Sequence, residues 1–294
     1  MMLNMRMQMQ GKNNRNTFIT LVTCWYNIKS KFSSNIYVSW IKNFLSIVNN
    51  FNLVIYTDSE SYKLISKLAK INNNKIRIVF KSFEKFYTYK YKDYWINNHK
   101  KSNMLLHKQT DWKLNMLWNE KVFFVEDAFK NKYFDTPFYA WCDIGYFRNN
   151  NDDLNTKYLQ LWPNTNKLFS EPFSQNVIHY GCVQNDNIKF VSLATKYNNF
   201  YKQNKDNILT KEEPNTDYET VCFAGGFFLL QQNLINYYVK IYSEKLEYYF
   251  AKEYFIKDDQ TIVSDIIFTN PTLFYIHTEN NAFNNWFMFQ RLLC

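Results

Sequence analysis

Thr136-Pro137-Phe138-Tyr139-Ala140-Trp141-Cys142-Asp143-Ile144-Gly145-Tyr146-Phe147-Arg148 is the stretch on which the fold turns. Aromatic and small apolar residues run together after a proline, the pattern of a buried strand, and the run stops at an acid, a glycine and an arginine. In open α/β sheets the carboxyl ends of the strands line the ligand crevice. A carboxylate placed there can hold a metal or a sugar hydroxyl, and a glycine lets a ligand approach the backbone. Asp143 is therefore the first candidate for function. The plain alternative is a turn cap, since Asp and Gly are ordinary turn residues.

Upstream, Thr17 to Trp25 reads as a buried, β-rich strand. Tyr37, Trp40, Ile41, Phe44, Leu45 and Val48 fall at helical spacing, giving one apolar face between Ser34 and Asn50. Leu53 to Asp58 is a second strand ending in an acid, with Ser59 placed to cap the next helix, and Ile76 to Phe80 is a third. This alternation predicts a mostly parallel sheet covered by helices, with right-handed crossovers. A helical pattern from Asp111 through Lys121 to Ala128 then delivers the chain into the Asp143 strand. Downstream the reading gives strands at Leu168 to Phe173, Val177 to Val183 and Thr220 to Ala224, the last leading into Gly225-Gly226. Helices follow at Phe190 to Tyr201, Gln232 to Glu253 and Thr261 to Phe268, and a last strand from Thr272 to Ile276 ends at His277. No repeat or linker divides the chain, so its 294 residues are read as one domain over 17–294, preceded by a poorly ordered 1–16.

Aromatics make up 20% of the chain, which is ample apolar area for a sizeable core and excludes a disordered protein. The net charge of +9 suits anionic partners. Lysine, asparagine, isoleucine, tyrosine and phenylalanine are over-used together, however, as AT-rich coding in a large virus or a low-GC bacterium would give. Between Phe83 and Lys101 aromatic residues interleave with lysines, the composition of a single-stranded nucleic-acid site or a sugar platform. The same coding bias produces that look, and nucleic acid is the weaker expectation. The five cysteines show no metal-ligand spacing and mostly sit in apolar runs, which fits a reducing compartment. The polar, methionine-rich start has no signal-peptide core, and no apolar run reaches membrane-span length. A cytoplasmic protein is expected, or one of the host cytoplasm or virion if the source is viral.

Neither G-x-G-x-x-G nor G-x-x-x-x-G-K-[ST] occurs, against a Rossmann dehydrogenase and a P-loop NTPase, and G-x-S-x-G and H-E-x-x-H are absent too. Three polar endings remain: Asp143-Ile144-Gly145, Asp258-Asp259-Gln260 and His277. Two carboxylates and an imidazole suit a divalent cation. Each also has a structural explanation, the aspartate pair as a helix cap and the histidine as a satisfied core residue.

Leu21 to Ile28, Leu53 to Asp58, Trp141 to Arg148, Gly225-Gly226-Phe227-Phe228 and Asp258-Asp259-Gln260-Thr261 occur in an order that resembles the HtrL/YibB family, from about Phe18 to Phe287. Members of that family look like glycosyltransferases of the GT-A fold. The resemblance implies a GT-A-like, Rossmann-related α/β domain with a nucleotide-binding half (17–148) and an acceptor half (149–294). It implies transfer of a sugar from a nucleoside-diphosphate donor, UDP-linked by expectation, to a hydroxyl of a glycan or glycoprotein. Asp143 matches the first acid of the D-x-D motif that holds ribose and metal, and Gly145 replaces the second. The resemblance further implies Mn2+ or Mg2+ on Asp143 and His277, and Thr23, Cys24 and Trp25 around base and ribose. Lys121 and Arg148 would stand near the diphosphate, Gly225 and Gly226 beside the donor sugar, and Asp258 or Asp259 would be the base of an inverting enzyme. The alternative is a non-catalytic nucleotide-sugar or glycan-binding protein on the same fold.

Overall fold

Strand β1, Ile19–Trp25, is buried at every residue and lies at the heart of a seven-stranded sheet in the computed structural model. The structure describes residues 17–69, 74–102, 104–203, 213–214, 217–280 and 283–294, so the expected weak order of residues 1–16 lies outside the described residues. The other strands are β2 (Asn52–Thr57), β3 (Ile76–Phe80), β4 (Phe138–Cys142), β5 (Ile178–Cys182), β6 (Phe223–Gln231) and β7 (Phe274–His277). Their order is β3-β2-β1-β4-β6-β5-β7. β6 runs antiparallel to both of its neighbours, while the other pairings are parallel. From β1 the chain moves outward to β2 and β3, then returns to place β4 on the other side of β1. That reversal is a topological switch point, where open α/β sheets bind ligands beyond the strand ends.

The helices are α1 (Ser34–Ser46), α2 (Ser59–Leu68), α3 (Lys92–Lys101), α4 (Leu105–Gln109), α5 (Trp112–Trp118), α6 (Lys121–Lys130), α7 (Thr165–Leu168), α8 (Asn187–Gln203), α9 (Ile235–Lys252), α10 (Asp259–Thr269) and α11 (Met288–Leu292). Alternate strand residues feed two cores, as the period of two in a strand requires. Val22, Tyr56, Trp141, Tyr180 and Phe228 meet α5, α6, α8, α9 and α10 on one face. Leu21, Leu53, Ala140 and Leu229 meet α1, α2 and α11 on the other. Both faces are covered, which explains why these strands read as continuous apolar runs. The fold is thus the expected single α/β domain with a mostly parallel sheet flanked by helices. Among the described residues no helix is long and apolar enough to cross a membrane.

Several boundaries differ from the sequence reading. Leu168 to Phe173 is not a strand: α7 ends at Leu168 and turns follow. The Asp58 carboxylate, not Ser59, caps α2 by accepting from the Ser61 amide. The single helix expected from Asp111 to Ala128 is two, α5 and α6, parted at Asn119-Glu120. Gly225-Gly226 does not follow a strand but lies inside β6, which continues to Gln231. The aromatic and lysine-rich Phe83 to Lys101 segment is not an open stacking platform. Phe86 and Trp95 are buried, Tyr87 stacks on Phe123 with ring centroids 4.2 Å apart, and Tyr91 lies 4.2 Å from Phe250.

Candidate functional site

A cavity of about 380 Å³ opens at the carboxyl ends of β1 and β4, beyond the switch point. Its size falls within the usual range of small-molecule sites. The end of β1 and the loop after it contribute Cys24, Trp25, Tyr26 and Lys31, and β4 with its loop contributes Trp141, Asp143, Gly145 and Arg148. Indole rings of Trp40 and Trp118 come from α1 and α5, and that of Trp286 from the C-terminal segment. The wall is therefore largely aromatic, with three cations and one carboxylate set into it.

Lys121, the first residue of α6, is the electrostatic centre. Its Nζ lies 3.2 Å from Asp143 Oδ1 and 2.9 Å from Asp259 Oδ2, and donates to the Gly225 carbonyl at 2.8 Å. The Trp141 indole N–H donates to the same Asp143 Oδ1 at 2.6 Å, fixing the carboxylate's orientation. Burial alone would pull the Lys121 ammonium below its usual range, but the Asp143 and Asp259 carboxylates outweigh it and hold the group charged, with its pKa raised. Burial pushes Asp259 up to about 6, with Lys121 opposing and Asp258 adding to the shift. The approach is close: a Cβ on Gly225 would stand 2.7 Å from Asp259 Oδ2, so the carboxylate would have to shift to admit it. Asp143 itself is 40% exposed at its side chain and lines the cavity, and no hydrogen bond to its Oδ2 is made among the described residues.

Arg148 is held differently. Its guanidinium lies 4.5 Å from the Trp40 ring centroid, 5.0 Å from Phe287 and 5.6 Å from Phe32, and its Nε donates to the Gly145 carbonyl at 3.1 Å. Among the described residues no carboxylate forms an ion pair with it. Stacked planar guanidinium groups of this kind present a rigid fork to an anion. The loop that carries Arg148 is anchored from two helices: Asn43 of α1 donates to the Phe147 carbonyl at 3.0 Å, and Gln290 of α11 to that of Tyr146 at 2.8 Å. Lys31, exposed at the mouth, places its ammonium 4.7 Å from the Trp118 ring centroid and likewise forms no ion pair among the described residues, while partial burial of the group pulls its pKa below the usual range with Asp258 opposing.

Of the residues singled out from sequence, Cys24, Trp25, Lys121, Asp143, Arg148 and Gly226 line this cavity. Gly225 adjoins it through Lys121 and Asp259. Thr23 is fully buried and does not line it. Burial, then Asp143, pushes the Cys24 thiol well up, so it stays protonated and is no nucleophile. Asp258 accepts from the Gln260 amide at 3.1 Å as the N-cap of α10, and Asp259 is committed to Lys121; neither lines the cavity. His277 lies apart from Asp143 in a buried cluster. Its Nε2 is 3.1 Å from His179 Nδ1 and its ring stacks on Phe173 at 4.7 Å, while burial lowers both imidazoles, His277 to about 3 and His179 to about 4. Both rings are therefore neutral at physiological pH.

The implied Mn2+ or Mg2+ needs about six oxygen or nitrogen ligands, some of them from substrate. Here Asp143 offers the cavity its Oδ2 alone, His277 is turned to His179, and among the described residues no three His, Cys, Asp or Glu side chains converge. A Cβ at Gly145 would stand 2.6 Å from Trp40 Cε3, which denies that position a second acid. The residues present do not fit a resident divalent cation.

Sequence reasoning missed Lys31 and Trp286, and assigned Trp40 and Trp118 only to helix faces. Lys31 was within reach of the switch-point rule, because it follows β1 in the loop that must line the crevice. The tryptophans carried no such signal among so many aromatic residues.

These features define an α/β protein with a crevice at its switch point, walled by aromatic rings and cations. No protein-family model matches the chain, and no curated protein sequence matches it. Among solved structures it is similar to mouse xyloside xylosyltransferase 1 in its apo form, at 13% identity and a TM-score of 0.44, over 89% of this chain and 85% of that one. It is also similar to galactosyltransferase LgtC in complex with donor and acceptor sugar analogs, at 10% identity and a TM-score of 0.43, over 89% and 73%. A third is 4-diphosphocytidyl-2C-methyl-D-erythritol synthase from Anaerococcus prevotii, at 13% identity and a TM-score of 0.40, over 92% and 91%.

Proposed function

We propose that the chain is a GT-A-type glycosyltransferase, moving a sugar from a nucleoside-diphosphate donor, UDP-linked by expectation, to a hydroxyl of a glycan or glycoprotein. The observation that carries this reading is one cavity holding both the half-exposed Asp143 carboxylate and two cations, Arg148 and Lys31, that form no ion pair among the described residues. A nucleotide sugar presents the complement of that set: a flat base for aromatic walls, a diphosphate for the cations and hydroxyls for the carboxylate. In the reaction the bond from the anomeric carbon to the diphosphate oxygen breaks as the acceptor oxygen bonds to that carbon, and the acceptor proton passes to the departing diphosphate oxygen or to water. Arg148 stabilises charge gathering on the departing diphosphate, a fixed group aimed where charge develops. Asp143, oriented by Trp141 and Lys121, accepts from a donor hydroxyl and sets the sugar's position.

A panel of nucleotide sugars tests this by release of nucleoside diphosphate and labelling of glycan acceptors. Turnover of one donor that Asp143→Asn abolishes, with the fold intact by circular dichroism, is the expected result; an unimpaired variant would sink the assignment. A second reading is favoured by the engagement of both candidate bases, Asp258 as a cap and Asp259 as an ion-pair partner. In that reading the protein binds a nucleotide sugar or glycan without turning it over. Donor binding without product under any cation would select it.

A further inference from the structure

We infer that this cavity meets the charge of a nucleoside diphosphate with fixed side chains, Arg148 and Lys31, and needs no divalent cation to do so. The inference rests on the transferase reading. Where a metal-binding carboxylate would face a cation supplied with the substrate, Asp143 already faces one built into the chain, the Lys121 ammonium at 3.2 Å. A divalent cation drawn to Oδ2 would be a second positive charge beside the first. The carboxylate that could offset it, Asp259, is held 2.9 Å from Lys121 and away from the cavity lining.

The second acid of the metal motif is excluded by packing as well as by sequence. The Trp40 ring that leaves no room for a Cβ at Gly145 is the ring on which Arg148 stacks. One indole therefore removes a metal ligand and positions a guanidinium in its stead. With Nε spent on the Gly145 carbonyl and no hydrogen bond from the terminal nitrogens among the described residues, Arg148 has both of these for a phosphate, the bidentate geometry in which arginine excels. Lys31 supplies a second charge at the mouth, braced on Trp118. Neither cation is neutralised by an ion pair among the described residues. Asp143 is left as a hydrogen-bond acceptor for hydroxyl groups, oriented by Trp141 and Lys121.

The test is calorimetric titration of purified protein with UDP, GDP, ADP and CDP, in EDTA and again in manganese chloride. One diphosphate should bind with a dissociation constant that differs by less than about threefold between the two buffers, well under 1 kcal/mol. Arg148→Ala and Lys31→Ala should each weaken that binding about tenfold or more in both buffers, a loss of about 1.4 kcal/mol. Lys31 is exposed, so its variant serves even if Arg148→Ala disturbs the loop. Binding that appears only with manganese, or that survives both substitutions unchanged, overturns the inference and leaves the transferase reading standing. No binding of any diphosphate in either buffer overturns the transferase reading itself.

Discussion

Lys121 Nζ lies 2.9 Å from the Asp259 carboxylate, and both side chains are buried, with exposures of 7% and 10%. The pair joins the first turn of α6 to the first turn of α10 and closes on the Gly225 carbonyl between them. Removing one partner strands the other as an uncompensated buried charge, which costs more than the attraction gained by the pair. Lys121→Met is expected to lower stability by about 3–5 kcal/mol, read from urea unfolding. Adding Asp259→Asn should restore part of the loss. A double variant no more stable than the single one would show that Asp259 is not the group left stranded.

Glu120, one residue earlier, makes a pH-dependent contribution of known sign. Its carboxylate is fully buried, accepts from the Tyr87 amide at 2.7 Å, and lies 3.8 Å from the Lys81 ammonium. Burial pushes it up to about 7 from an ordinary 4.5, with Lys81 and the two amides of Tyr87 and Thr88 opposing. A folded-state pKa above the unfolded one gives stability that is complete below the unfolded value and is lost as pH rises through the folded one. The stability of the native chain relative to Glu120→Gln should therefore fall between about pH 4.5 and 7 and level off above. Denaturant unfolding of both proteins across that range reads the slope; a rise in the same window contradicts it.

How much of this was written in the sequence differs by element. β1, β2 and β4 are buried on both faces, so they show as unbroken apolar runs bounded by polar residues, and Asp143 was found because such a run ends on it. β6 was half hidden: its two glycines look like a turn, and only the antiparallel pairing with β4, where the Asp143 amide donates to Gly226, explains them as strand. The Leu168 to Phe173 error has another root: Leu168-Phe169-Ser170-Glu171-Pro172-Phe173 is too short and mixed to carry a period, and the proline within it already argued against a strand. Lys121 was chosen as a cation for the diphosphate, but a helical pattern could not reveal that Asp259, 138 positions later, would claim it. His277 was placed correctly at the end of β7, yet whether it faced Asp143 or His179 depended on a sheet register unreadable from one chain.

Replacing glycine at 225 or at 145 should cost stability for different reasons. Alanine at 225 drives a methyl group against Asp259 Oδ2, 2.7 Å away, and pushes the carboxylate from Lys121. Alanine at 145 meets Trp40 Cε3 at 2.6 Å and tilts the ring under Arg148. Overpacking of this kind typically costs about 1–3 kcal/mol. Gly225→Ala is expected to show that loss in melting temperature. Gly145→Ala should show it together with weaker nucleoside diphosphate binding, and full affinity in that variant would disconnect Trp40 from the anion site.

Arg148→Lys separates charge from shape at the proposed diphosphate site. Lysine keeps the positive charge but has neither the planar fork nor the face that packs on Trp40, Phe32 and Phe287. Its ammonium could not donate to the Gly145 carbonyl in the manner of Nε and still offer two parallel donors to a phosphate. If simple charge held the ligand, the variant would bind almost as well as the native chain and its affinity would fall with salt in the same way. With a stacked, two-pronged donor as the anchor, affinity for the nucleoside diphosphate should drop about tenfold, most of it in faster dissociation. Stopped-flow displacement of bound nucleotide measures that rate directly, and an unchanged rate would return Arg148 to a structural role in bracing its loop.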